Sequence, residues 1–141
     1  MKRVLIINGA NLNLLGTREV KIYGDRTFED YLLDLREKYP HFDIHYFQSN
    51  LEGEVVNALQ TGANYDAIVL NAGGYAHTSV VIRDAVAAIS HFPVIEVHIS
   101  NIMQRETFRH SSLLSAVCAG TIFGFGLLSY ELAMKAIESW D

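Results

Sequence analysis

The stretch "RVLIIN", residues 3–8, is a continuous apolar run, and it feeds a long polar loop, "GANLNLLGTREVKIYG", residues 9–24. Unbroken apolar runs, as opposed to alternating ones, suit strands that are covered on both faces of a parallel sheet. Four further runs of strand length follow: "FDIHYFQ" (42–48), "DAIVLN" (66–71), "PVIEVHIS" (93–100) and "AGTIFGFG" (119–126). Helical spacing fills the intervals. Thr27 and Asp30 form a capping-box pattern ahead of Phe28, Tyr31, Leu32 and Leu35, and Pro40 closes that helix. Val55, Val56 and Leu59 repeat the spacing, as do Ile82, Ala85, Val86 and Ile89 after a Thr78/Ser79 start. Leu127, Leu128, Leu132, Met134 and Ile137 mark a last helix. Strand then helix, five times over, predicts an α/β protein: a flavodoxin-like, doubly wound, five-stranded parallel sheet of order 2-1-3-4-5 in three α/β/α layers.

The 141 residues are the size of one domain, here expected to span residues 1–141. Half of them are apolar and 19% charged, more buried surface than a lone domain of this size needs, so subunit contacts are expected. A net charge of -5 gives no basic footprint for nucleic acid or for an acidic membrane face. Any anionic ligand must be met by local arginines. The single cysteine, Cys118, excludes an internal disulfide and a multi-cysteine metal site, and "AVCAG" reads as a core thiol. Lys2 and Arg3 precede only four apolar residues before Asn8, too few for the apolar region of a signal peptide, so a cytoplasmic location is expected. From His110 to Tyr130 there is no charged residue. The serines and Gly120, Gly124 and Gly126 make that run a short helix, a buried strand and a turn, not a membrane span.

Ligands of doubly wound sheets bind beyond the carboxyl ends of the strands. That rule selects the opening loop, "NAGGYAHTS" (71–79) and "EVHISN" (96–101). Side chains alternate along a strand, so Glu96, His98 and Ser100 share one face. A buried Glu96 needs hydrogen-bond partners. It either makes a structural ion pair with His98 or orients His98 as a proton donor. Asn71 and His77 fit turn chemistry or ligand contact, and their place at the strand edge favours the ligand. Arg105 and Arg109, four residues apart, share a face if helical; they form a charged surface or clamp a carboxylate. The opening loop lacks both GxGxxG and the Walker pattern, and strand 1 ends in Asn8, not in an acidic pocket. It does hold Arg18 and Tyr23, with Asn11 and Asn13 nearer the sheet. A tyrosine beside an arginine is a candidate base, because a neighbouring cation favours phenolate.

Taken together, "INGANLNLLGTREVKIYG" (7–24), "NAGGYAHTS" (71–79), "RDA" (83–85), "EVHISN" (96–101) and "RETFRHSS" (105–112) resemble type II 3-dehydroquinate dehydratase, in the same order and across nearly the whole chain. The resemblance implies a lyase that dehydrates 3-dehydroquinate to 3-dehydroshikimate by anti elimination through an enolate, in the shikimate pathway, with no metal and no organic cofactor. It gives Tyr23 the role of base, Arg18 that of sustaining the phenolate, and Asn11 that of holding a water against the enolate oxygen. His98, positioned by Glu96, becomes the acid for the departing hydroxyl. Asn71, His77, Ser100, Arg109 and the backbone of Ile99 become contacts to the substrate carboxylate and hydroxyls, Arg105 a lid arginine, and Asp84 a contribution from a neighbouring subunit. Trimers are implied, four of them making a dodecamer. The family commonly has Pro where Ala10, Val20 and Ala72 stand and Thr at Ala76, so a looser lid is expected here. The competing reading is a non-catalytic flavodoxin-like module that binds a small carboxylate.

Overall fold

In the computed structural model, which describes residues 1–89 and 91–140, five strands form one sheet: β1 (Lys2–Asn8), β2 (Phe42–Gln48), β3 (Ala67–Asn71), β4 (Val94–His98) and β5 (Gly120–Phe123). All neighbours are parallel and the order is β2-β1-β3-β4-β5. The flavodoxin-like order expected from the apolar runs is therefore present. Among the described residues five α-helices accompany the strands: α1 (Val20–Tyr23), α2 (Phe28–Lys38), α3 (Glu52–Gln60), α4 (Val80–Ala87) and α5 (Leu128–Glu138).

Strand alternation divides the interior into two cores. Val4, Ile6, Val69, Ile95 and Val97 face α2 and α5, where they meet Phe28, Leu35, Tyr130 and Met134. Leu5, Ile7, Ile68, Leu70 and Val94 face the other way, toward Val55 and Leu59 of α3 and Ile82 and Val86 of α4. This is the three-layer arrangement. Side-chain caps set two helix starts: Thr27 Oγ1 accepts from the Asp30 amide (3.2 Å), and Ser79 Oγ accepts from the Ile82 amide (2.9 Å).

The crossover from β4 to β5 departs from the expected pattern. Among the described residues it carries no α-helix, only 3-10 turns at Ile102–Gln104 and Thr107–Arg109 and a further turn in which the Val117 and Cys118 amides reach the Leu114 carbonyl. Arg105 and Arg109 thus do not share a helix face. The expected short helix within 110–130 is absent because the segment's polar groups bond outward: the Leu113 amide donates to the Ala76 carbonyl, and Ser112 and Ser115 donate to Glu96. β5 is shorter than the apolar run 119–126, since Gly124 (φ 99°) and Gly126 (φ 64°) turn the chain into α5. No helix among the described residues is long and apolar enough to cross a membrane.

Tyr130 ties α5 to the ends of two central strands. Fully buried, its hydroxyl donates to Asn8 Oδ1 (2.7 Å) and accepts from Asn71 Nδ2 (2.9 Å). Burial pushes its phenol pKa well up, so it remains a neutral donor. Tyr130→Phe keeps the ring but strands two buried amide groups. Unfolding by denaturant is expected to show a loss of about 1–3 kcal/mol; a loss below about 0.5 kcal/mol would mean the hydroxyl's partners are satisfied elsewhere.

Candidate active site

The opening loop is ordered by the first core, by the turn after β3 and by the end of β2. Leu12 and Leu15 are buried in the first core. The Gly9 amide donates to the Asn71 carbonyl (2.7 Å), and a Cβ at Gly9 would collide with the Ala72 backbone, so the loop leaves β1 in close contact with the turn after β3. Gln48 Nε2 donates to the Gly9 carbonyl (3.2 Å), and the Asn11 amide donates to Asn50 Oδ1 (2.9 Å). Asn11 takes the left-handed backbone (φ 70°) that a short polar side chain tolerates. One helical turn, α1, then carries Tyr23 back over the strand ends.

Two guanidinium groups flank Tyr23. Arg18 Cζ lies 4.5 Å from the centre of its ring and Arg105 Cζ 5.4 Å. Arg105 Nη1 also donates to the Tyr23 hydroxyl (2.7 Å) and reaches Ser100 Oγ (3.3 Å). Glu19, at φ 38°, pairs with Arg18 (3.2 Å) and approaches Arg105 (3.9 Å). His110 Nε2 contacts the Arg105 carbonyl (3.1 Å) and fixes the turn that bears it. Arg109 is held by Glu106 (2.5 Å).

On β4, Glu96 is wholly buried and His98 nearly so. His98 Nε2 and Ser112 Oγ both donate to Glu96 Oε2, each at 2.5 Å, while Ser115 Oγ (2.5 Å) and Thr121 Oγ1 (3.0 Å) donate to Oε1. Burial opposes ionisation of this carboxyl, but the hydrogen bonds from His98, Ser112 and Ser115 outweigh it and hold the pKa at about 2. Beside it the His77 ring stacks on His98 with centres 5.8 Å apart, and His77 Nδ1 meets the Ser111 carbonyl (2.8 Å). Burial depresses the His77 pKa below the usual histidine value, against the hydrogen bond to the Ser111 carbonyl, which raises it.

Nine of the residues singled out from the sequence line one narrow cleft of about 90 Å3 beyond the strand ends: Asn11, Arg18, Tyr23, Asn71, His98, Ile99, Ser100, Arg105 and Arg109. Glu96 lies behind His98, and His77 stands beside it. Asp84 does not line the cleft of its own chain; it is exposed on α4 and paired with Arg83 (3.0 Å). Asn71 is buried, with Nδ2 on Tyr130 and Oδ1 accepting from the Gly73 amide (3.1 Å), which leaves one hydrogen and one lone pair for the cleft. The wider hollow at the opposite end of the sheet is lined by no arginine, and the one at the β2 edge by Arg36 alone, beside His45, Tyr46 and Tyr65, so neither gathers several guanidinium groups. Ser112, Ser115, Thr121, Glu19 and Tyr130 were not singled out from the sequence. The demand of a buried Glu96 for donors was the available signal, but nothing in the spacing says which hydroxyls answer it. Cys118 is half-buried, and desolvation pushes its thiol up to about 12, with the Glu96 charge adding to the effect. Among the described residues no cluster of three or more His, Cys, Asp or Glu could hold a metal ion.

The model of the family described as dehydroquinase class II matches residues 2–138. The chain belongs to that family. It is 52% identical over 140 residues to the 3-dehydroquinate dehydratase of an Exiguobacterium species, covering 98% of this chain and 96% of the relative. The crystal structure of the type II dehydroquinase from Butyrivibrio crossotus superposes with a TM-score of 0.93 at 43% identity, covering 98% of each chain. That from Propionibacterium acnes superposes with 0.94 at 38%, covering 99% of this chain and 98% of its own. The dehydroquinase fold is thus shared along essentially the whole chain.

The buried carboxylate makes stability depend on acid in a defined direction. Its folded pKa lies below the unfolded value of about 4.3, so the stabilisation is complete above that value and is lost as pH falls toward about 2. The difference in unfolding free energy between wild type and Glu96→Gln should therefore shrink steadily on acidification across that window. A difference independent of pH there would contradict the low folded pKa.

Proposed function

We propose that this chain is a type II 3-dehydroquinate dehydratase, a lyase that converts 3-dehydroquinate to 3-dehydroshikimate and water in the shikimate pathway. The observation that carries the reading is that a phenol held between two guanidinium groups and an imidazole held by a buried carboxylate line the same cleft. Abstraction of a proton next to a ketone needs a base and compensation for the enolate; expulsion of hydroxide needs an acid.

Tyr23, as phenolate, removes the proton, and the positive charge of Arg18 and Arg105 compensates the negative charge on the phenolate and then on the transition state. Asn11 holds the water that faces the enolate oxygen. His98 protonates the leaving hydroxyl while Glu96 balances the imidazolium. Asn71, His77, Ser100, the Ile99 amide and Arg109 bind the carboxylate and ring hydroxyls. Arg105, lying on Tyr23 and Ser100 in this conformation, is the lid group that must shift to admit substrate. The reaction needs neither metal nor organic cofactor. Asp84, turned away from its own cleft, serves that of a neighbouring subunit in a trimer, and four trimers make a dodecamer. A single domain over residues 1–141 in the cytoplasm completes the reading. With Ala10, Val20 and Ala72 where the resembled family commonly has Pro, the lid opens more freely.

The test is the ultraviolet absorbance of the conjugated enone that forms when 3-dehydroquinate is added to purified protein. Wild type should generate it without added metal, and Tyr23→Phe should lose turnover by roughly a hundredfold or more while keeping its fold. Full activity in Tyr23→Phe would remove Tyr23 from the role of base. Saturable binding without enone in wild type would make the chain a carboxylate-binding module.

A further inference from the structure

Glu96 is surrounded by more than its histidine. A carboxylate offers about four acceptor positions, two on each oxygen. Here Oε2 takes His98 and Ser112, and Oε1 takes Ser115 and Thr121. The hydroxyl donors are themselves constrained. Ser112 Oγ accepts from the Leu114 amide (3.0 Å), which aims its proton at Glu96. Thr121 has one proton to divide between Glu96 Oε1 at 3.0 Å and Ser115 Oγ at 3.1 Å. The segment that carries Ser112 and Ser115 is fastened to the turn after β3 by the Leu113 amide on the Ala76 carbonyl, and to His77 through the Ser111 carbonyl. That segment takes turns in place of a crossover helix, and this geometry delivers both hydroxyls to β4.

We infer that Ser112 and Ser115, assisted by Thr121, are positioning residues for proton donation: by filling the acceptor sites of Glu96 they fix its carboxylate so that His98 must give it the Nε2 proton, leaving Nδ1 to serve the cleft. The inference rests on the reading of His98 as proton donor to the leaving hydroxyl. In that step the imidazolium transfers its Nδ1 proton to the oxygen, the C–O bonding pair leaves with that oxygen as water, and the enolate pair becomes the new C=C bond. The neutral ring that remains carries its proton on Nε2, which is the tautomer a fixed Glu96 requires. A carboxylate free to turn would leave the ring without a fixed tautomer or orientation.

Two readouts test this in the full-length oligomer. Solid-state nitrogen-15 spectra of histidine-labelled protein, with the His98 signals assigned by their loss in His98→Asn, report which ring nitrogen carries the proton. Spectra taken at a pH high enough to leave one proton on the ring should show that proton on Nε2 in wild type, and a mixture of tautomers in Ser112→Ala/Ser115→Ala. In the same double variant kcat for 3-dehydroquinate should fall roughly tenfold to a hundredfold with KM changed by less than about threefold. Ser112→Thr/Ser115→Thr, which keeps both hydroxyls, should recover most of the rate. A folded double alanine variant with wild-type kcat and a single Nε2 tautomer would overturn the inference. If the double variant does not fold, Ser115→Ala, at an exposed position, carries the same two readouts. If wild type does not convert 3-dehydroquinate, the dehydratase reading fails and the tautomer alone decides whether the hydroxyls position His98.

Discussion

A wholly buried carboxylate in the middle of a central parallel strand constrains everything around it. Left unpartnered, the Glu96 charge would cost several kcal/mol, far more than one helix cap returns. Its donors come from three places: His98 on its own strand, Ser112 and Ser115 in the crossover, and Thr121 on the edge strand β5. Satisfying Glu96 therefore fixes the path of the chain from β4 to β5. It explains why this crossover is built of turns and not of a helix, and why His98 is held in the wall of the cleft.

A neutral counterpart operates on the opposite face of the sheet. Asn8 and Asn71 end β1 and β3, neighbours in register, and the Tyr130 hydroxyl joins them from α5. This bond holds the two strand ends from which the opening loop and the turn bearing His77 depart. The two networks fasten the rim from both faces, and Arg18, Tyr23 and Arg105 take part in neither. Under the proposed function, an acid fastened in the sheet and a base and lid borne on loops suit a site that must admit a polar ring and then exclude water.

Much of this was legible before any coordinates. Continuous apolar runs announced strands buried on both faces, and helical spacing between them led to the sheet order. The two-residue spacing of Glu96 and His98 put them on one face, and the strand-end rule gathered Asn71, His77, Arg18 and Tyr23 at one edge. What stayed hidden was tertiary. Ser112 and Ser115 look like any polar turn residues until Glu96 is placed beside them, and Tyr130 looks like a core aromatic until its hydroxyl lands between two asparagines. The failed expectation of a helix after β4 has the same origin, since a distant carboxylate outbid local propensity for those hydrogen bonds. Asp84 lies away from the cleft of its own chain, exposed on α4 and paired with Arg83.

The most direct measurement of the central claim is a crystal structure of Tyr23→Phe with 3-dehydroquinate bound. The carbon next to the ketone should lie roughly 3–4 Å from the edge of the substituted ring, and the leaving hydroxyl within about 3 Å of His98 Nδ1, with Glu96 still holding Nε2. A substrate seated elsewhere, or with its leaving hydroxyl turned away from His98, would contradict it.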